Sequence, residues 1–268
     1  MIAEITNCCI CGKETERVYE LPFLDVYGMD HEYVQKINIC PSCGFIFTAN
    51  PFSDEQLSNR YKNMSKYDFD KKTLITKEKA DYLKRSKRQH DFINNTIEQY
   101  TSVFEVGAAS GYSLSLYQKD GIDVYGVEPS GINVKSCKHN YGIDLFQGMF
   151  QDYMKMNDNR KYDLIFLSHV LEHIVNPYQF ISELSDINSC YMFIEVPTLD
   201  YKFIDEPFGM FTDEHVNYFT FESLNNLMHA LHYKNIDANI VFNLNDDVPS
   251  GCPCVSTLWQ KQSTPPRI

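Results

Sequence analysis

Apolar and polar residues follow a regular alternation in the larger, C-terminal part of the chain. From Ser102 onward, short apolar runs alternate with amphipathic segments, which predicts strands and helices in turn. The segment Lys77–Tyr100 is rich in helix-forming residues and predicts one or two helices that lead into this region. The predicted strands are about Ser102–Val106, Asp123–Val127, Asp144–Phe146, Tyr162–Leu167, Tyr191–Val196, Ile236–Phe242 and Val255–Trp259, and the predicted helices are about Tyr112–Lys119, Gly131–Tyr141, Pro177–Leu184 and Phe221–Leu231.

This alternation of strands and helices predicts an α/β fold with a mostly parallel sheet and helices on both faces. In sheets of this kind, ligands bind beside the carboxyl ends of the strands, where the strand order reverses. The loops that follow the predicted strands are therefore the places where binding residues are expected.

Composition and charge narrow the class of protein. The chain has 268 residues, 43% of them hydrophobic, and a formal net charge of −12. The acidic surplus argues against a non-specific nucleic-acid binder, which needs Lys and Arg against phosphates. No secretory signal and no apolar run of roughly 18–20 residues is evident, so we expect no membrane span and a cytoplasmic protein. The basic run Lys84–Arg88 is either a solvated helix face or a phosphate contact.

Four of the nine cysteines form two C-x-x-C pairs, each followed by glycine. In a reducing compartment such pairs are metal ligands more often than disulfides, and four thiolates suit a tetrahedral structural zinc ion. We predict a small zinc-binding module with a substrate-side linker over residues 1–75, followed by lead-in helices and the α/β domain over 76–268. The predicted zinc ligands are Cys8, Cys11, Cys40 and Cys43.

The loop after the first predicted strand indicates the cofactor. A dinucleotide fingerprint G-x-G-x-x-G counted from Gly107 fails at Ala109 and Tyr112. The pattern [DE]-x-G-x-G-x-G fits Glu105, Gly107 and Gly111, with Ala109 at the middle glycine. That pattern is the first motif of the class I S-adenosylmethionine (AdoMet)-dependent methyltransferases, which the chain resembles from about residue 95 onward.

The resemblance implies a Rossmann-like, mostly parallel seven-stranded sheet that binds AdoMet and releases S-adenosylhomocysteine. It implies a ribose-binding role for Glu128, which closes the second predicted strand and whose carboxylate accepts hydrogen bonds from a diol. The sequence from Tyr162 through His169-Val170-Leu171-Glu172-His173 to Pro177 is similar to many small-molecule methyltransferases. The cofactor-binding residues expected on this basis are Glu105, Gly107, Ala109, Gly111, Glu128, Pro129 and His169.

The chain resembles one subgroup of these methyltransferases more closely than the others. Some bacterial methyltransferases of deoxysugar and surface-polysaccharide (capsule) pathways carry an N-terminal cysteine-zinc module, a tyrosine-bearing stretch, and a Glu-His pair followed by Tyr-Phe. The matching residues here are Glu214-His215 and Tyr218-Phe219, whereas Thr212 stands where a tyrosine is common. The resemblance implies that His215 is the general base and that Glu214 positions the substrate. The expected substrate-binding residues are Tyr61, Tyr67, His173 and Tyr218.

These observations predict in-line methyl transfer to a small molecule, such as a nucleotide-linked sugar or another polysaccharide precursor, by a monomer or homodimer. A neutral hydroxyl acceptor needs a base such as histidine, whereas an anionic acceptor needs mainly positioning. The sequence leaves open O-, C- or N-methylation, and His215 or His173 as the base. Two further hypotheses are a zinc-containing RNA methyltransferase or nucleic-acid binder and a nicotinamide oxidoreductase.

Overall fold

The computed structural model describes residues 4–23, 33–53, 56, 77–156, 159–200, 211–242 and 253–263. Two predicted substrate residues, Tyr61 and Tyr67, lie outside the described residues.

The predicted elements occur in the predicted order with shifts at their ends. The strands are β1 Glu16–Phe23, β2 Tyr33–Ile39, β3 Ile46–Thr48, β4 Ser102–Val106, β5 Asp123–Glu128, β6 Phe146–Gln147, β7 Tyr162–Ser168, β8 Asn188–Pro197, β9 Asn217–Tyr218, β10 Tyr233–Phe242 and β11 Pro253–Lys261. The helices are α1 Lys77–Thr96, α2 Tyr112–Lys119, α3 Gly131–Tyr141, α4 Phe150–Met154, α5 Pro177–Ile187 and α6 Phe221–Ala230, with a 3-10 turn at Leu171–His173. The strands β1, β2, β3 and β9 and the helix α4 are additional elements that the sequence pattern did not predict.

Seven strands form one sheet in the order β10-β11-β8-β7-β4-β5-β6. Strand β4 pairs in parallel with β5 and with β7, and β5 pairs in parallel with β6. The strands β10 and β11 form an antiparallel pair at one edge. The predicted α/β fold with a mostly parallel sheet is confirmed. The chain moves from β4 to β5 on one side and later adds β7 on the other, so the strand order reverses at β4.

The central strands are buried because parallel strands are covered by helices on both faces. Strand β7 shows this most clearly, since Leu164, Ile165 and Leu167 are fully buried in a nearly continuous apolar run. An apolar run of this kind is what the sequence showed at this position. The rigid centre of the sheet holds in place the loops that follow β4, β5 and β7.

A second, four-stranded sheet has the order β1-β2-β3-β9, with antiparallel pairing throughout. Its first three strands belong to the N-terminal region, and β9 supplies two residues from much later in the chain. Residues of β1 are mostly exposed, whereas Ile37 and Phe47 of β2 and β3 are buried. This sheet therefore includes the residues that directly follow His215.

The chain divides into two compact units. Unit 1 comprises Met1–Arg60, His169–Glu183 and Ile194–Ile268, and unit 2 comprises Tyr61–Ser168 and Leu184–Phe193. The predicted boundary between residues 75 and 76 lies outside the described residues and stays a prediction. Within the described part of the chain, no helix has the length and apolar character needed to cross a membrane.

Candidate cofactor, metal and acid–base sites

The loop from β4 to α2 in unit 2 adopts backbone conformations that few residues tolerate. Ala109 has a φ of 45° and Gly111 a φ of 78°, both in the left-handed region. A methyl side chain at position 109 is therefore accommodated where the AdoMet motif has its middle glycine. At position 111 the restriction is stronger, because an added Cβ would lie 2.1 Å from the Sγ of Cys137 in α3. Helix α2 consequently packs closely on α3 only with glycine at its start.

Glu128 closes β5 and links this loop to the start of α3. Its Oε2 accepts a hydrogen bond from the backbone N–H of Ala109 at 2.9 Å. Its Oε1 accepts from the Ser130 N–H at 2.9 Å and from Asn133 Nδ2 at 3.3 Å. These donors hold the carboxylate in one orientation at the end of β5. The Oδ1 of Asn133, also buried, has no hydrogen-bond partner among the described residues.

A second buried carboxyl, that of Glu105 in β4, lies near helix α1. Burial, assisted by the charge of Glu128, raises the pKa of Glu105 to about 8, while Ser113 and Arg85 act in the opposite direction. Within the part of the chain that the structure describes, Glu105 Oε2 and Arg85 Nε are buried without a hydrogen-bond partner. Buried polar atoms of this kind are costly unless a ligand pairs with them. An acceptor and a guanidinium donor fit the ammonium and carboxylate of an amino-acid group such as that of AdoMet.

The four predicted zinc ligands come together in unit 1. The Sγ atoms of Cys8, Cys11, Cys40 and Cys43 all lie within 4.8 Å of one another, and the Cys8–Cys43 and Cys11–Cys40 pairs are 3.5 and 3.4 Å apart. A tetrahedral zinc–thiolate site needs sulfurs about 3.8 Å apart. Both loops make the same turn, in which the glycine N–H donates to the carbonyl of the first cysteine, Gly12 to Cys8 and Gly44 to Cys40. The donor set and its turns therefore fit zinc.

Three histidines surround the buried carboxylate of Glu172 in unit 1. His169 Nδ1 lies 3.2 Å from Glu172 Oε1, and His173 Nε2 lies 3.8 Å from the same oxygen. The rings of His173 and His215 meet edge to face with centroids 4.9 Å apart. Burial alone would raise the pKa of Glu172, but His169, His173 and His215 together lower it to about 2. The carboxylate of Glu172 is therefore ionised at neutral pH.

Backbone contacts position this histidine cluster. The Glu214 carbonyl lies 2.9 Å from His173 Nδ1, and the Val216 N–H donates to the Glu172 carbonyl. The His215 carbonyl accepts from Gln35 Nε2 at 3.1 Å and from the Tyr218 hydroxyl at 2.8 Å. The segment carrying the predicted base is thus held by the N-terminal sheet and by the 3-10 turn.

Apart from the four cysteines, the predicted site residues that the structure describes separate into two groups. Glu105, Gly107, Ala109, Gly111, Glu128 and the half-buried Pro129 surround the β4 and β5 ends in unit 2, whereas His169, His173, Glu214, His215 and Tyr218 lie with Glu172 in unit 1. Tyr218 is 3% exposed. Its hydroxyl supports the His215 backbone, which explains its position without a substrate.

Two groups stand out that the motif analysis did not assign. Arg85 lies in the basic run, where Lys84 and Lys87 are exposed but Arg85 Nε is buried. Glu172 lies within the quoted motif, yet its place among three histidines depends on the fold.

The comparisons with known proteins agree with this geometry. A family model described as a methyltransferase domain matches residues 54–238, more than half of the chain. The chain therefore belongs to this methyltransferase family. Together with the fold, this makes it an AdoMet-dependent methyltransferase. No curated protein matches the chain significantly.

Solved structures share the fold at low sequence identity. The 1,6-didemethyltoxoflavin-N1-methyltransferase of Burkholderia thailandensis, with its substrate and S-adenosylhomocysteine bound, aligns with a TM-score of 0.58 at 14% identity, covering 90% of this chain and 99% of its own. The magnesium protoporphyrin IX methyltransferase of Synechocystis PCC 6803 with bound S-adenosylhomocysteine aligns with a TM-score of 0.59 at 12% identity, and the alignment covers 78% of this chain and 100% of that enzyme. A SAM-dependent methyltransferase of Archaeoglobus fulgidus aligns with a TM-score of 0.52 at 18% identity, and the alignment covers 66% of this chain and 93% of that protein.

Proposed function

We propose that the chain transfers the methyl group of AdoMet to a neutral hydroxyl of a small molecule, with a nucleotide-linked sugar or another surface-polysaccharide precursor as the acceptor class. The observation that carries the methyltransferase part is the pair of buried carboxyls, Glu105 and Glu128, at the ends of neighbouring parallel strands. The similarity to polysaccharide-pathway enzymes, which rests on the cysteine pairs and on Glu214-His215, supports the sugar acceptor. The small molecules named for the toxoflavin and protoporphyrin enzymes support an acceptor of that size.

The cofactor site is assigned residue by residue. Glu128 accepts hydrogen bonds from the ribose diol, because Ala109, Ser130 and Asn133 already fix its carboxylate. Glu105 pairs with the ammonium of the methionyl group, and Arg85 pairs with its carboxylate. The bound cofactor supplies a sulfonium methyl that is already activated, so the protein mainly has to position the acceptor.

His215 is the group to which we assign the acceptor's proton. The ionised carboxylate of Glu172 lies beside the cluster and offsets the positive charge that His215 would acquire on taking the acceptor's proton. The same negative charge disfavours an anionic acceptor oxygen, so a neutral hydroxyl fits better. His173 suits the base role less well because its Nδ1 is already engaged by the Glu214 carbonyl.

The cysteine cluster has a structural role in this proposal. Four thiolates leave a bound zinc ion no open position, so the ion stabilises the N-terminal sheet and takes no part in the transfer. Reduced thiols persist in the cytoplasm, so the proposed zinc site fits a cytoplasmic enzyme. We propose that this enzyme is a monomer or a homodimer and that its acceptor is a nucleotide-linked precursor.

The test of the proposed base is turnover of a panel of nucleoside-diphosphate sugars by the His215→Ala variant. We expect kcat to fall by about 10²–10⁴-fold, the usual contribution of a general base, with S-adenosylhomocysteine affinity unchanged. His229→Ala, at an exposed position near the end of α6, is the matched control and should keep full activity. Unchanged turnover of His215→Ala would remove His215 from the reaction. Failure of every nucleotide sugar, with transfer to another small molecule, would refute the sugar acceptor alone.

A further inference from the structure

The carboxylate of Glu172 is unusual in its surroundings. It is 1% exposed, and among the described residues only the His169 imidazole lies within hydrogen-bonding distance of either oxygen. A buried carboxylate with so few hydrogen-bond donors is unfavourable unless positive charge lies beside it. The polar atoms nearest to it are imidazole nitrogens, with His169 Nδ1 at 3.2 Å and His173 Nε2 at 3.8 Å.

The contact between His173 Nδ1 and the Glu214 carbonyl determines whether Nε2 of the same ring carries a hydrogen or a lone pair. A carbonyl oxygen only accepts hydrogen bonds, so the Nδ1 atom that lies 2.9 Å from the Glu214 carbonyl carries the hydrogen. In the neutral ring, Nε2 then directs a lone pair towards the side of Glu172. Two electron-rich atoms facing each other across 3.8 Å need a cation between them. Histidine ligands of metals show this same arrangement, with the second ring nitrogen donating to a carbonyl.

His215 is the third residue whose side chain lies close enough to share a bound ion with Glu172 and His173. One ligand atom each from Glu172, His173 and His215 lies within 4.8 Å of the other two. Ligands bound at about 2.0–2.2 Å to one ion are separated by roughly 3.3–3.6 Å, so rotamer adjustments of less than about 1.5 Å close the site. His169, whose Nδ1 lies 3.2 Å from Glu172 Oε1, is assigned to orient the carboxylate rather than to bind the ion.

We propose that Glu172, His173 and His215 bind a divalent first-row transition metal ion, separate from the cysteine cluster. One carboxylate and two imidazoles are a ligand set that such ions accept, and it differs from the thiolates that hold structural zinc. Three protein ligands leave coordination positions open, unlike the four cysteines.

An open position gives this site a chemical use beyond structure. A hydroxyl bound to a divalent ion loses its proton far more readily than a free one. In the ion-loaded protein His215 would be a ligand and the acidified acceptor hydroxyl would lose its proton to solvent, whereas in the ion-free protein the His215 imidazole takes the proton itself. Metal binding itself requires no methyl transfer, so it is measured independently of the proposed function.

The test is a zinc titration of protein that elemental analysis shows to carry one zinc ion per chain, followed by calorimetry. We expect the wild-type chain to bind one further equivalent. X-ray absorption should show an added shell of nitrogen and oxygen at about 2.0–2.1 Å beside the sulfur shell. Glu172→Gln and His215→Ala should each weaken this second binding at least 10-fold and keep the first zinc ion. His139→Ala, an exposed histidine in α3, should leave both unchanged.

Two results would overturn the proposal. One is a wild-type chain that takes up no second equivalent, which would mean that a proton, not a metal ion, neutralises Glu172. The other is a second equivalent that Glu172→Gln and His215→Ala both retain, which would place the ion elsewhere. Circular dichroism of each variant, with the cysteine-bound zinc as an internal marker of unit 1, separates loss of the site from loss of folding.

Discussion

Glu105 and Glu172 are both buried carboxyls, and their surroundings give them opposite charge states. Glu105 lies near a second carboxylate, Glu128, and burial raises its pKa to about 8. Glu172 is just as buried, but imidazoles surround it and lower its pKa to about 2. At neutral pH Glu105 is therefore mostly protonated and Glu172 is ionised.

This difference predicts that AdoMet binding releases protons. The ammonium of AdoMet would lower the Glu105 pKa from about 8 towards its ordinary value, so the carboxyl loses its proton between about pH 4.5 and 8. Calorimetry at pH 6.5 in buffers of different ionisation enthalpy should show up to one proton released per AdoMet. Glu105→Gln should show almost none, and the exposed control Glu98→Gln should match the wild type. A wild-type enthalpy that is independent of buffer would contradict this assignment.

The start of helix α2 shows how an element depends on one missing side chain. Gly111 combines a φ of 78° with close contact to Cys137 of α3, so both backbone strain and steric overlap oppose any substitution. The overlap and the strain are separable, because only the first depends on the residue at position 137.

A double-mutant cycle separates the two effects. Gly111→Ala should lower the free energy of unfolding by about 2–4 kcal/mol, from overpacking and the left-handed φ together. Adding Cys137→Ala should recover the overpacking part and leave about 1 kcal/mol of backbone strain. Urea unfolding of the four proteins gives these values. Strict additivity of the two substitutions would show that the side chains do not meet.

The contacts between the N-terminal sheet and the cysteine loops lead to a second prediction, which concerns the proposed zinc ion. The Thr48 N–H donates to the Val216 carbonyl, and Asn226 Nδ2 donates to the Cys43 carbonyl. Loss of zinc should therefore loosen the segment that carries His215. In Cys40→Ser, we expect faster hydrogen exchange at Val216 and lower turnover, with no change in β5. The exposed Cys190→Ser is the control. Unaltered hydrogen exchange at Val216 in Cys40→Ser would show that the zinc ion does not stabilise the segment that carries His215.

The sequence predicted some elements better than others for physical reasons. Strands β4, β5 and β7 are covered on both faces, so their apolar runs are recognisable without tertiary information. The exposed strand β1 lacks such a run, and the two residues of β9 become a strand only by pairing with β3. Likewise, the local spacing of the two C-x-x-C pairs predicted the cysteine cluster, and the spacing of Gly107 and Gly111 predicted the cofactor loop after β4. The meeting of Glu172 with His215, 43 positions later, and the burial of Arg85 depend on tertiary packing.

At the scale of the whole molecule, the acidic charge and the arrangement of chemical groups favour a small-molecule enzyme. A net charge of −12 disfavours non-specific binding along the phosphates of a nucleic acid. Two carboxyls with perturbed pKa values, Glu105 in β4 and Glu172 in the 3-10 turn, belong to a fold shared with AdoMet-dependent methyltransferases. The central claim is that Glu128 and the β4–α2 loop bind this cofactor.

The most direct test is calorimetric binding of S-adenosylhomocysteine to the wild-type chain and to Glu128→Ala, with NAD as the competing ligand. We predict that the wild type binds S-adenosylhomocysteine far more tightly than NAD. Removing the carboxylate from the diol should abolish measurable binding in the folded variant, whereas the exposed control Glu98→Ala should bind normally. Normal binding by Glu128→Ala, or a preference for NAD in the wild type, would contradict the assigned cofactor site.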